Sequence, residues 1–315
     1  MMNDYMEMGN HSGAVTEFLI LGFSEFPELQ LPLFTLFLFL YLMAVLGNLL
    51  VICVVCADRH LHTPMYFFLA NLSALDICSF TAVVPKLLAV LTRSNKISFR
   101  ECILQMYLCL ACICTEYNLL TAMAYDRYVA ICNPLRYAII MNKRVCALLA
   151  AVSWVTGLIE ALPHTIATSQ FSFCDSNVIN HIFCDISALL ELSCSDTSVF
   201  STINFVEVWF TGFIPFLLIL TSYIFIISNV LKIRSSEGKS KAFSTCSSHL
   251  TVIILAYGTI TGVYFQPRSG DSVKSNKLVT TLYIAVLPLL NPLIYSLRSK
   301  ELNVALKKAL SKKST

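Results

Sequence analysis

Residues 31–40 read Leu31-Pro32-Leu33-Phe34-Thr35-Leu36-Phe37-Leu38-Phe39-Leu40, and the run continues apolar to about residue 56. A barrel strand alternates in polarity and a surface helix keeps one charged side. This stretch does neither. It is apolar all round and longer than the roughly 20 residues a helix needs to cross ~30 Å of hydrocarbon. Working outward along the chain, six further runs of this kind lie at about 65–91, 102–130, 145–168, 199–231, 243–264 and 278–297. With 57% hydrophobic and 13% charged residues, against about 25% charged in ordinary globular chains, the bulk solvent of this protein is lipid. The expected fold is an all-α membrane protein: a seven-transmembrane helix bundle over residues 31–297. A segment of 1–30 precedes it, and 298–315 follow as a short amphipathic helix and tail. A cytosolic enzyme, a disulfide knottin, a coiled coil and a disordered chain are excluded, and a net charge of +3 is too small for a nucleic-acid surface.

Seven spans place the two ends on opposite sides, and basic residues choose the sides. With the N-terminus outside, 15 Lys and Arg fall in the inner segments, among them Arg59, Arg136, Lys143, Arg144, Lys232 and Lys300, whereas 6 fall outside. The expected placement is a multi-pass plasma-membrane protein with an extracellular N-terminus and a cytoplasmic C-terminus. Residues 1–30 contain no Lys or Arg and no apolar core, so the first span itself directs insertion. Asn10-His11-Ser12 is an N-glycosylation acceptor on the side assigned to the exterior. After Arg298, Leu302, Leu306 and Leu310 recur at fourfold spacing among lysines, the pattern of a helix lying on the inner leaflet.

Seven of the 13 cysteines (Cys53, Cys56, Cys78, Cys109, Cys112, Cys114 and Cys132) lie within spans as small apolar residues. Cys174, Cys184 and Cys194 share the one long loop, residues 169–198, and Cys102 opens the third span on the same side. Four cysteines in an oxidising compartment allow three pairings. A zinc site is the bland alternative, with His181 as its only nearby histidine. Crosslinking would shape a lid over the outer end of the bundle.

Charges at membrane depth are costly and mark function or an internal partner. Asp76, Glu116, Glu160 and Glu207 are such charges. In the third span Cys102, Cys109, Ile113, Glu116, Leu120 and Arg127 fall on one stripe. Glu116 lies about 16 Å from Arg127 along it, at ~1.5 Å per residue. Asp76 sits at similar depth. Two readings stay open for Asp76 and Glu116: they hold a monovalent cation such as Na⁺, or they are protonated and bonded to Asn48, Asn71 or Asn291. Glu160, Glu207 and His164 lie nearer the outer half, either lining a cavity or joined by interhelical hydrogen bonds. At the inner end Asp126-Arg127-Tyr128 sets an acid beside an arginine, a pair that can be closed or opened. Pro215, Pro288 and Pro292 lie inside spans and allow kinks.

At these residues the chain resembles the rhodopsin-like G-protein-coupled receptors, and specifically the olfactory receptors. The likeness covers essentially the whole chain. It rests on Gly47-Asn48; on Leu61-His62-Thr63-Pro64-Met65-Tyr66-Phe67-Phe68-Leu69 with Asp76; and on Met123-Ala124-Tyr125-Asp126-Arg127-Tyr128-Val129-Ala130-Ile131-Cys132. Further on it rests on Ser222-Tyr223, on Lys241-Ala242-Phe243-Ser244-Thr245-Cys246-Ser247-Ser248-His249, and on Pro288-Leu289-Leu290-Asn291-Pro292-Leu293-Ile294-Tyr295-Ser296. The resemblance implies a receptor that binds a small, usually volatile odorant in the outer half of the bundle. The same resemblance implies that it activates a stimulatory, olfactory-type heterotrimeric G protein and so raises cyclic AMP.

The resemblance also assigns roles to residues. It places a sodium site at Asp76 and Glu116, a G-protein switch at Asp126, Arg127 and Tyr128 with Tyr223 and Tyr295, and disulfides at Cys102–Cys184 and Cys174–Cys194. The implied odorant pocket falls near Cys109, Leu110, Ile113 and Cys114, near Glu207, Phe210 and Thr211, near Tyr257, Ile260, Thr261 and Tyr264, and at Ile284. Tyr257 stands where most rhodopsin-like members carry tryptophan, and the third span lacks the aspartate that pins amine neurotransmitters. No cofactor beyond a structural Na⁺ is implied.

The rival class is a transporter or ion channel using the membrane carboxylates. The odd span count, the absence of inverted repeats and the lack of paired Gly-broken helices oppose it. An enzyme is not expected, since no His-Glu-x-x-His or Gly-x-Ser-x-Gly motif occurs.

Overall fold

The structure, a computed structural model, describes residues 15–92, 94–174, 176–233 and 235–264, together with 289–291, 294, 302–305 and 307; side chains at 238, 240–245, 248 and 259–264 are not described. Its long helices are α1 (Gln30–Ala57), α2 (Pro64–Leu91), α3 (Phe99–Cys132), α4 (Lys143–Ser169), α5 (Ser198–Lys232) and α6 (Ser236–Tyr264). The first five are each long and apolar enough to cross a membrane, while α6 carries a shorter apolar stretch, His249–Gly258. The seventh apolar run is represented by 289–291 and 294, so Ile284, Pro288, Pro292 and Tyr295 lie outside the described residues, as does Asn10.

Local chemistry sets the helix ends. Pro64 opens α2, where its missing N–H costs nothing. Ser98 and Glu101 form a capping box at the start of α3, the Ser98 hydroxyl accepting from the Glu101 amide while Glu101 accepts from the Ser98 amide at 3.1 Å. Pro134 follows the end of α3, and Asn142 caps α4 through the Arg144 and Val145 amides. In α5 the residues before Pro215 widen into a π turn, Val208–Phe213. Pro215 supplies no amide for the Thr211 carbonyl, and its ring crowds that carbonyl, so the α pattern gives way there.

Burial is inverted relative to a water-soluble protein. Leu31, Phe39, Leu46 and Ile254 are more than half exposed, whereas Asn48, Asp76, Asp126, His164, His249 and Asn291 are buried. That inversion is what a lipid solvent demands, because polar groups must find partners inside. Helices α3 and α4 are in close contact at Gly157, where an added Cβ would stand 2.1 Å from Thr115 Oγ1. The largest core cluster lies toward the Arg127 end and includes Val54, Phe68, Leu72, Leu119, Met123, Ile226 and Val252, with Leu302 and Ala305 packed into it. Leu302 of the tail therefore faces protein, while Val304 is exposed; Leu306 and Leu310 lie outside the described residues.

The other end is closed by a structure that the apolar runs do not announce. Strand β1 (Glu17–Ile20) is the centre of a three-stranded sheet, antiparallel to β2 (Lys96–Ser98) and parallel to β3 (Val178–Ile179). Phe18 and Ile20 are fully buried and pack with Ile97, Met106, Ile179 and the Cys102–Cys184 bridge. Residues 15–20, read above as part of a simple leading segment, thus hold two loops together as a lid.

Candidate functional site

Two disulfides bind the long loop: Cys102 to Cys184, with Cα atoms 5.4 Å apart, and Cys174 to Cys194, 6.0 Å apart. These thiols are consumed, so the zinc alternative has no sulfur ligands left here. His181 packs edge-on against Phe183, ring centroids 4.9 Å apart.

At the opposite end, Arg127 is closed onto its neighbour. Its Nε and Nη2 donate to Asp126 Oδ2 at 3.0 and 2.5 Å. Asp126 Oδ1 accepts from the Tyr137 hydroxyl at 2.8 Å. Both carboxylate oxygens are engaged, and Asp126 is fully buried. Tyr137 lies in the single helical turn Tyr137–Ile140 that follows the Pro134 break. Burial, and then the adjacent Asp126 carboxylate, push its phenol well above the ordinary tyrosine range. Tyr223 of α5 meets His249 of α6, hydroxyl to Nδ1, at 2.8 Å. Tyr128 packs edge-on against Phe225 at 5.9 Å. Sequence reasoning missed Tyr137 and the role of His249. The available signal for Tyr137 was the Asn133-Pro134 break, which turns the chain back under α3.

At mid-depth Asp76 is buried, and both its oxygens accept from Asn291 Nδ2, at 3.2 and 3.0 Å. Asn48 and Asn71 turn elsewhere, donating to the Ala44 and Phe67 carbonyls at 3.0 and 2.9 Å. Glu116, on α3, is an electrostatic neighbour of Asp76. Asn291 Oδ1 has no hydrogen-bond partner among the described residues. An all-oxygen donor set of this kind fits a small hard cation.

Between mid-depth and the lid the expected pocket residues divide. Cys114 and Thr211 are buried, and Cys109, Leu110, Ile113 and Tyr257 are half-buried. Cys109 packs toward Leu87, Ile182 and Phe183, under the lid. Tyr257 leans on Tyr117 and Phe216, with centroids 4.7 and 5.3 Å away. Phe210, by contrast, is 63% exposed on the outer surface of the π turn. The π turn directs Phe210 to lipid and Thr211 inward, so Phe210 is not brought together with the others. The side chains of Ile260, Thr261 and Tyr264 lie outside those described. Glu207 and His164 meet directly through Oε2 and Nδ1, and Glu160 accepts from Asn118 at 3.4 Å. The interhelical hydrogen bonds here run from Cys114 to Glu207 and from Asn118 to Glu160.

Comparison with known proteins places this arrangement. The olfactory receptor family model matches residues 37–313. Human olfactory receptor 5B21 is 48% identical over 303 residues, covering 96% of this chain and 98% of that protein. Mouse olfactory receptor 8G50 is 47% identical over 305 residues, at 96% and 98% coverage, and human olfactory receptor 8D1 is 46% identical over 306 residues, at 97% and 99%. A lidded bundle of membrane-length helices, with a buried Asp126–Arg127 pair at the end away from the lid, matched along nearly its whole length, belongs to the olfactory receptor family and has that family's seven-helix fold.

Proposed function

We propose that this chain is an odorant receptor of the plasma membrane. It takes a small, mostly apolar volatile molecule between α3, α5 and α6 beneath the lid, and it activates a stimulatory, olfactory-type heterotrimeric G protein that raises cyclic AMP. The N-terminus and the lid face outward and Arg127 faces the cytoplasm, because 15 of the 22 basic residues then lie inside. The pocket is bounded by Cys109, Leu110, Ile113, Cys114, Thr211 and Tyr257, with Ile260, Thr261, Tyr264 and Ile284 completing it. Asp76, Glu116 and Asn291 would hold a structural Na⁺, whose charge relieves the repulsion between the carboxylates.

The observation that carries the reading is the state of Arg127, 11% exposed and paired with a fully buried carboxylate that Tyr137 also holds. A cation so enclosed is a resting arrangement that a change in packing can open. Ligand contacts on α3, α5 and α6 favour a bundle in which the inner end of α6 swings out. The Tyr223–His249 contact is then exchanged, and Arg127, freed of Asp126, meets the carbonyls at the end of a partner helix. A mostly apolar pocket and few ligand atoms give modest affinity and broad tuning. Tyr295 belongs to the same switch.

The test is a cyclic AMP assay in cells expressing the chain, exposed to chemically diverse volatiles. At least one class is expected to raise cyclic AMP, and Arg127→Ala, with equal surface staining, is expected to abolish the rise. A chain that reaches the surface yet stays silent to the whole panel removes the reading.

A further inference from the structure

Six polar side chains of α3, α4 and α5 form two rungs. In the first, Glu207 Oε2 meets His164 Nδ1, and Glu207 Oε1 accepts from Cys114 Sγ at 3.7 Å. In the second, Glu160 accepts from Asn118 Nδ2 at 3.4 Å, with the buried Thr211 side chain beside it. Each helix contributes one residue to each rung, always four apart: Cys114 and Asn118, His164 and Glu160, Glu207 and Thr211. Residues four apart share a helix face, so the rungs stand about 6 Å from one another along the bundle. In α5 the two members bracket the first part of the π turn, Val208–Phe213.

This coincidence has a physical consequence. A π turn inserts an extra residue and so changes which side chains face inward on one side of it. Here it leaves Thr211 buried while Trp209, Phe210 and Phe213 are 45%, 63% and 42% exposed. Pro215 permits such a turn, but a missing amide alone does not choose its register. The contacts of Glu207 can, because this register sets Glu207 against His164 and Cys114 while Thr211 turns inward. Glu207 is only 15% exposed, its Oε1 accepting from Cys114 and its Oε2 set against His164 Nδ1.

We propose that Glu207 is a positioning residue, which with His164 pins the π turn of α5 to α4 and thereby sets which side chains of α5 line the odorant cavity. It acts on every ligand alike, through the shape of the cavity, and contacts none of them. The claim about ligands rests on the receptor reading above; the claim about register does not.

The experiment has one arm for each. In a Trp154→Phe background Trp209 is the only tryptophan, and its quenching by brominated lipids reports its exposure to lipid without any ligand. Glu207→Gln is expected to change that quenching, and the exchange His164→Glu with Glu207→His is expected to restore it. In the cyclic AMP assay Glu207→Gln is expected to raise the half-maximal concentration about tenfold, a 1.4 kcal/mol change, by the same factor for hydrocarbons, alcohols and amines. The exchanged receptor is expected to recover the original values.

Loss confined to ligands with a donor group, or an exchange that restores neither reading, overturns the proposal, as does a Glu207→Gln receptor indistinguishable from the parent. If the single variants do not reach the surface, the exchanged one must reach it with the parental quenching, or the proposal falls. Silence of the parent chain to all volatiles would count against the receptor reading alone, since the quenching arm still decides the register.

Discussion

Tyr137 is the smallest unit on which the switch depends. Its hydroxyl donates to the oxygen of Asp126 that Arg127 does not use. A hydrogen bond to a charged group contributes about 1.5–3 kcal/mol, enough to shift a two-state balance more than tenfold. Tyr137→Phe is therefore expected to raise ligand-independent cyclic AMP severalfold at equal surface density; unchanged basal signalling would show that Asp126 holds Arg127 unaided. The same contact should be indifferent to pH in the physiological range. Because the folded-state phenol titrates above its ordinary value of about 10, its contribution is fully present below that value and is lost only as pH rises through the higher, folded one. Asp196 behaves in the opposite sense. Its carboxylate accepts from the Ser198 amide at 2.9 Å and from the Ser198 hydroxyl at 3.0 Å, which holds its pKa below the ordinary carboxylate range. That contribution is present above about pH 4 and is lost as pH falls through the lower, folded value. The protection of the first-turn amides of α5 against hydrogen exchange, taken relative to their intrinsic rate at each pH, is expected to stay constant from about pH 5 to 9 and to fall only in stronger acid.

At the scale of elements, glycine separates contact from spacing. The Cβ of a Gly157→Ala variant would meet Thr115 Oγ1, N and Cα at 2.1, 2.7 and 2.9 Å. Two of those atoms are backbone and cannot rotate away, so α3 and α4 must part. Overpacking of this kind costs about 1–3 kcal/mol, and both rungs between α3 and α4 would be stretched with it. Gly157→Ala is expected to lower the melting temperature of detergent-purified protein by several degrees, whereas Gly212→Ala, with nothing within 4 Å of the new Cβ, is expected to leave it within a degree or two. Helix positions were plain in the sequence because all-round apolar runs have one stable form in lipid. The π turn was not, because Pro215 announces a lost hydrogen bond without saying whether the helix kinks or widens.

At the scale of the molecule the lid is a second, small core stapled twice. The Cys102–Cys184 bond closes 82 residues and Cys174–Cys194 closes 20. By loop entropy these constrain the unfolded chain by about 4.5 and 3 kcal/mol. The first also joins α3 to the buried face of β1, through Phe18 and Ile20. Cys102→Ser is accordingly expected to reduce surface expression and thermal stability more than Cys174→Ser; equal losses would mean that the loop folds independently of the helix.

Composition and the period of the apolar runs were sufficient for the helical bundle, because a membrane leaves a chain almost no alternative: every backbone group must be satisfied within its own helix. The acid beside Arg127 was likewise readable, since the two are adjacent in the chain. Which asparagine reaches Asp76, which tyrosine holds Asp126, where β1 inserts and how Glu207 is occupied were settled only by packing. These partners lie from 11 to 215 residues apart, and each buried polar group could have been satisfied by several others of the same chemistry. Distance along the chain says nothing of which one arrives.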